Sequence, residues 1–143
     1  MSRAYIALGS NLGDRAANLG LARERLAALP GNRIVAMSSV EDTDPLGGMA
    51  QPAYLNQMLL LETDLSPRAL LEVCRATELA AGRVRHTRWE PRTLDIDIVQ
   101  YGETIVDEPD LQVPHPGLAD RDFWKREIAE IEQGLDRLRM SDS

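Results

Sequence analysis

The sequence predicts an α+β sandwich in the order β-α-β-β-α-β, followed by one further helix. Three observations carry that expectation. Two strand-like segments, Tyr54–Thr63 and Leu94–Tyr101, alternate with period two; two others, 15–29 and 66–81, carry apolar residues at helical spacing; turn formers separate them. With 143 residues, 43% of them hydrophobic, the chain is long enough for one domain, 1–143, with a substantial core.

Tyr5 to Leu8 reads as a buried strand that runs into the turn-rich stretch Gly9–Asp14. That stretch lacks the Lys-Ser/Thr ending of a phosphate-binding P-loop, having Asp14-Arg15 there, so Asp14 is expected to cap a helix. Leu19, Ala22, Leu26 and Leu29 form that helix's inner stripe, and Pro30-Gly31 ends it. Ile34 to Val40 is expected as a second strand and 41–53, with two prolines and two glycines, as loop. In the strand Tyr54–Thr63, Tyr54, Asn56, Met58 and Leu60 share one face, while Leu55, Leu59 and Leu61 share the other. Ser66-Pro67 starts a helix as N-cap and first-turn proline. Leu70, Val73, Cys74 and Thr77 line its inside, and Gly82 stops it. The region 107–122 is rich in turns and pins His115 between Pro114 and Pro116, which keeps that residue out of any helix interior. From Phe123 onward, Trp124, Ile128, Ile131, Leu135 and Leu138 mark an amphipathic helix. The order is that of a ferredoxin-like βαββαβ sandwich with an additional C-terminal helix.

The chemistry concentrates in 82–98, GRVRHTRWEPRTLDIDI. On a strand from Leu94, the side chains of Leu94, Ile96 and Ile98 enter the core and Asp95 and Asp97 leave the opposite face together, about 7 Å apart. Such a pair of hard oxygen donors suits Mg²⁺, and the arginines ahead of it suit a polyphosphate. A solvated charged loop before an edge strand is the bland alternative. Against a formal charge of −7 for the whole chain, 83–92 has four arginines and one acid, Glu90. That balance fits a small anionic ligand and speaks against a nucleic-acid binder. No run of about 18 apolar residues suggests a membrane span. Cys74, the single cysteine, excludes an internal disulfide, reads as core, and fits a cytoplasmic setting. Tyr54 and Asn56, at the mouth of a loop, offer a ring and an amide to a flat heterocycle; ordinary packing explains them equally.

Five segments, YIALGSNLGDR (5–15), DPLGGMAQPAYLN (44–56), ELAAGRVR (78–85), RWEPRTLDIDI (88–98) and LQVPHP (111–116), together resemble the 6-hydroxymethyl-7,8-dihydropterin pyrophosphokinases of the folate pathway. The resemblance implies attack of the pterin hydroxymethyl oxygen on the β-phosphorus of ATP, with AMP leaving. It implies Asp95 and Asp97 as ligands of two Mg²⁺ ions. Asp97 is further expected, on physical grounds, to orient the attacking hydroxyl. Arg83, Arg85, Arg88, Trp89 and Arg92 match a loop that covers ATP, of which Arg83, Arg85 and Arg92 count with the aspartates as catalytic. Glu78, Ile98, His115 and Arg121 match nucleotide-contacting positions. Thr43, Pro45, Leu46, Tyr54, Asn56, Trp89 and Phe123 match the pterin pocket, with Gly9 and Asn11 in the turn beside it.

The chain departs from the family's pattern in three places. Arg75 stands where a glutamine is familiar and Asp110 where an arginine is, which puts nucleotide affinity in question. After Phe123 a charged amphipathic helix replaces an aliphatic, proline-containing segment. That helix is expected to pack on its own domain, giving a monomer, with a dimer through the same stripe as the alternative. Two other functions are compatible with the pattern: a palm-like, metal-dependent nucleotidyltransferase and a non-catalytic module that binds a small ligand.

Overall fold

The computed structural model describes residues 1–43, 53–82 and 93–141. Four antiparallel ladders build one sheet from β1 (Ser2–Ser10), β2 (Arg33–Met37), β3 (Glu41–Thr43), β4 (Tyr54–Thr63) and β5 (Asp95–Tyr101). The strand order is β2-β4-β1-β5, and β3 continues along the same edge of β4 as β2. This is the expected α+β arrangement. Helices α1 (Arg15–Ala28) and α2 (Pro67–Ala80) cover one face, and α3 (Asp122–Ser141) lies on the other. The expected caps form: the Asp14 side chain accepts from the Ala17 N–H and that of Ser66 from Ala69. Gly82, at φ +87°, ends α2 in the left-handed conformation that glycine adopts without strain.

Period-two alternation divides the core. Leu59, Leu61, Ile96 and Ile98 meet Leu19, Leu26, Leu70 and Cys74 beneath α1 and α2. Ala7, Met58, Leu60 and Val99 meet Trp124 and Ile131 of α3. The C-terminal helix therefore packs on its own sheet, as expected. Among the described residues no helix is long and apolar enough to cross a membrane. Burial foremost, then Glu78 and Asp97, pushes the Cys74 thiol up to about 12, as befits a core residue.

Several expectations need correction. The second strand does not run to Val40; it breaks after Met37, where the buried Ser38 donates its N–H to the Met58 carbonyl and its hydroxyl accepts from the Met58 N–H. It resumes at Glu41–Thr43, inside the expected loop, because those three residues pair with Tyr54–Asn56. Leu29 leaves α1 with ψ 135°, as a residue ahead of proline is driven to do. Within the turn-rich region 107–122 lies a hairpin of β6 (Val106–Glu108) and β7 (Leu111–Val113), followed by one 3₁₀ turn, Pro116–Ala119. Leu138 is 64% exposed, since the last turns of α3 run beyond the sheet, whereas Glu127 on the same stripe is buried.

Candidate active site

The sheet register assembles the site. Gly9 on the central strand pairs with Asn56 on one side and Asp95 on the other. Directly opposed residues share a face, so Asn56 and Asp95 stand on the α3 side of the sheet, separated by two inter-strand steps of about 4.8 Å. One pair further along, Asp97 shares that face with Ala7 and Met58. A Cβ on Gly9 would lie 3.2 Å from the Asn56 Oδ1 and 3.4 Å from the Tyr54 ring. Glycine there lets the ring and the amide close over the strand. The Asn56 amide donates to the Thr43 hydroxyl, joining β3 to this cluster. Asn11 is buried where β1 leaves the sheet.

On the other side of Gly9, a cleft of about 230 Å³ follows the outer edge of β5. Leu71 of α2, Ile98 and Leu111 form apolar walls, while Asp97 and His115 form a polar end. Glu78, buried in α2, does not line this cleft; it accepts from the backbone N–H of Ile96 at 2.8 Å and so fastens the edge of the aspartate strand. Two residues on, Ile98 faces the same way in the ladder and reaches the cleft wall. The backbone N–H of His115 donates to the Val99 carbonyl, and its Nε2 stands 3.6 Å from Asp97 Oδ1. Arg121 lies with its guanidinium carbon 4.4 Å from the centre of the Trp124 ring, and His115 meets the same ring edge-on at 5.0 Å. The Nη1 of Arg121 is buried with no acceptor among the described residues. Phe123, in the first turn of α3, packs over the same sheet face that carries Tyr54 and Asn56. The predicted site residues Pro45, Leu46, Arg83, Arg85, Arg88, Trp89 and Arg92 lie outside the described residues.

Two residues of α1 were missing from the sequence-based site. Arg15 Nη1 donates to the Ala53 carbonyl at 2.7 Å, and Asn18 Nδ2 to the Thr93 carbonyl at 3.1 Å. Ala53 and Thr93 are the first described residues after 44–52 and after 83–92, so one helical turn fixes the return of the chain at both points. Polar residues in a first turn read locally as a solvated face, and partners 38 and 75 positions away leave no local signal.

The model of 7,8-dihydro-6-hydroxymethylpterin-pyrophosphokinase (HPPK) matches residues 5–133. The chain belongs to this family. It is 46% identical over 135 residues to the 2-amino-4-hydroxy-6-hydroxymethyldihydropteridine pyrophosphokinase of Methylorubrum extorquens, covering 94% of this chain and 85% of that protein. Identity to the protein of the same name is 42% in Pseudomonas aeruginosa, over 94% of this chain and 83% of that one. For the Bacillus subtilis protein it is 39%, over 94% and 80%. Membership makes the chain an ATP-dependent pyrophosphokinase.

Arg75 and Asp110, the two departures expected from the sequence, are joined in the structure. Asp110 Oδ2 accepts from Arg68 Nη1 at 2.7 Å and from Arg75 Nη2 at 3.5 Å, and Arg68 also pairs with Glu108. The hydrogen bond from Arg68 holds the Asp110 carboxyl below its usual range. The acid at the cleft rim is thus neutralised from α2, and the hairpin bearing Leu111 is tied to that helix. Exposed ion pairs of this kind contribute little to stability, so the tie is one of position.

Proposed function

We propose that the chain, acting as one domain over 1–143, binds ATP in the cleft along β5 and the pterin beyond Gly9, and transfers pyrophosphate between them. The pyrophosphoryl group of ATP passes to the hydroxymethyl oxygen of 6-hydroxymethyl-7,8-dihydropterin, and AMP leaves. One observation carries this reading: the register that sets Asn56 and Asp95 on one face, one on each side of Gly9.

On the nucleotide side, the apolar walls take a base, the edge of β5 offers backbone groups to it, and His115 and Arg121 meet the phosphates. The buried, unsatisfied Nη1 of Arg121 supports an anionic ligand there. On the pterin side, Asn56 and Thr43 supply hydrogen bonds, and Tyr54 and Phe123 supply ring faces. Arg83, Arg85, Arg88, Trp89 and Arg92 are proposed to close over the polyphosphate and Pro45 and Leu46 over the pterin.

The donor set fits Mg²⁺. Two same-face carboxylates without a third acidic, histidine or cysteine ligand among the described residues match an ion that takes its remaining ligands from phosphate and water. Asp95 and Asp97 would hold two ions. When bound, they would neutralise charge on the phosphates during transfer. The chain's own residues position: Asp97 orients the hydroxyl, and the ring and amide pair hold the pterin in line. The packing of α3 on its own sheet supports action as a monomer; the proposed setting is the cytoplasm, with which a single buried cysteine is compatible. Incubation with Mg²⁺, ATP and hydroxymethyl-dihydropterin is expected to yield AMP; ADP or free pyrophosphate as the product would overturn the reading.

A further inference from the structure

We infer that Gly117 is a positioning residue for the nucleotide cleft: the side chain it lacks is the space in which the Arg121 guanidinium sits. The inference rests on the proposed role of Arg121. A Cβ built on Gly117 would collide with Arg121 Nη1, and would lie 2.9 Å from its Cζ and 3.0 Å from His115 Nδ1. The φ of Gly117 is not in the left-handed region, so the backbone does not require glycine there. What requires it is the arginine foremost, with the His115 ring second.

The same residue fixes His115, at the polar end of the cleft. The Gly117 N–H donates to His115 Nδ1 at 2.9 Å, so in the neutral ring the proton resides on Nε2, the nitrogen 3.6 Å from Asp97. The Gly117 carbonyl accepts the Arg121 N–H at 3.1 Å, which closes the turn carrying both side chains. Trp124 forms the floor, with Arg121 stacked on its face and His115 against its edge. Glycine above and indole below thus hold the guanidinium in a slot. Without the slot the fork swings out, and a bidentate grip depends on direction as well as charge.

The hard clash falls on the far end of a flexible side chain, and the His115 ring need give way only by a few tenths of an ångström, so alanine at 117 displaces Arg121 at little cost to the fold. That separates positioning from stability. Gly117→Ala is expected to raise the KM for ATP about tenfold, the effect of losing one charge-assisted hydrogen bond, with kcat within about twofold. The thermal midpoint and the KM for the pterin are expected to stay near those of the parent protein. Arg121→Ala is expected to raise the KM for ATP at least as much, and adding Gly117→Ala to it is expected to have little further effect, the signature of two residues acting as one. An unchanged KM in Gly117→Ala, beside a raised one in Arg121→Ala, overturns the inference and leaves the role of Arg121 standing. An equal fold-loss with and without Arg121 overturns it too, since the damage is then structural. If Arg121→Ala itself binds ATP normally, the reading of Arg121 fails and the inference falls with it.

Discussion

Asp97→Asn is expected to lower kcat for AMP formation by on the order of 10³-fold, with Mg²⁺ and both substrates saturating. The substitution keeps the size of the side chain and leaves an amide oxygen beside His115 Nε2, so the 3.6 Å contact survives in outline. What goes is the negative charge and one hard oxygen donor. Asp97 is 41% exposed along its side chain, so the fold should lose no more than about 0.5 kcal/mol. Asp95→Asn should act similarly, and the double substitution should cost little more than either, because residues that work as one unit are not additive. The pterin should bind as before, since Asn56 lies on the other side of Gly9. Single-turnover rates, a Mg²⁺ titration and equilibrium pterin binding on the same preparations separate these effects. Normal turnover in Asp97→Asn at saturating Mg²⁺ would remove both the charge and the hydroxyl-orienting roles.

That pair was legible because it lies in the part of β5, up to Ile98, where the alternation holds; the register against β1 shifts only beyond that residue. Leu94, Ile96 and Ile98 enter the core as their spacing demands, which leaves the two acids no other face. The same logic placed Tyr54 and Asn56 with Met58 and Leu60. Caps were legible as well, since Asp14 and Ser66 answer to backbone N–H groups three residues away. Local chemistry suffices for such features.

The features that stayed hidden are those whose partners are distant. Glu41–Thr43 has no hydrophobic pattern of its own and is a strand only because Tyr54–Asn56 lies beside it. The β6–β7 hairpin turns at Pro109-Asp110, a turn signal, but its strands have three residues each, too few for periodicity to register. Arg75 and Asp110 each look like a defect in the sequence; only their 3.5 Å approach makes them a matched pair. Gly117 carries no signal at all without the position of Arg121. Glu127 is a different case, because the helical period places it between Trp124 and Ile131, on the buried stripe. Its charge hid it, since acids at such positions are expected to face water.

Glu127 is where the C-terminal helix has its most pronounced pH dependence, and Glu127→Gln is expected to remove it. The residue is 3% exposed, and neither carboxyl oxygen has a donor among the described residues. Burial foremost, then Glu41 on β3 and Glu130 on α3, pushes its carboxyl from the ordinary 4.5 up to about 9, against a partial offset from Arg126. At neutral pH it is therefore protonated, with Glu41 as the acceptor for its proton. Arg126, 3.4 Å from both Glu41 oxygens, and Glu130, bonded to the Ser39 hydroxyl at 2.7 Å, complete the contact of α3 with the edge that leads to Thr43. The sign follows from which state holds the proton. Below pH 4.5 both states are protonated and the helix packs without penalty. Between 4.5 and about 9 the unfolded chain ionises while the folded chain does not, so stability falls by at most about 1.4 kcal/mol for each pH unit. Local relaxation reduces that slope, and a loss of about 2 kcal/mol between pH 5 and 8 is expected. Glutamine is neutral throughout, and its amide can still donate to Glu41. Urea unfolding of both proteins at pH 5, 6.5 and 8 should thus give equal stabilities at pH 5 and an advantage of about 2 kcal/mol for Glu127→Gln at pH 8. Other groups titrate equally in both proteins, so only the difference between them reports on Glu127. Curves that stay parallel across this range would mean that Glu127 is ionised in the folded chain, and that α3 holds an uncompensated charge against Glu41.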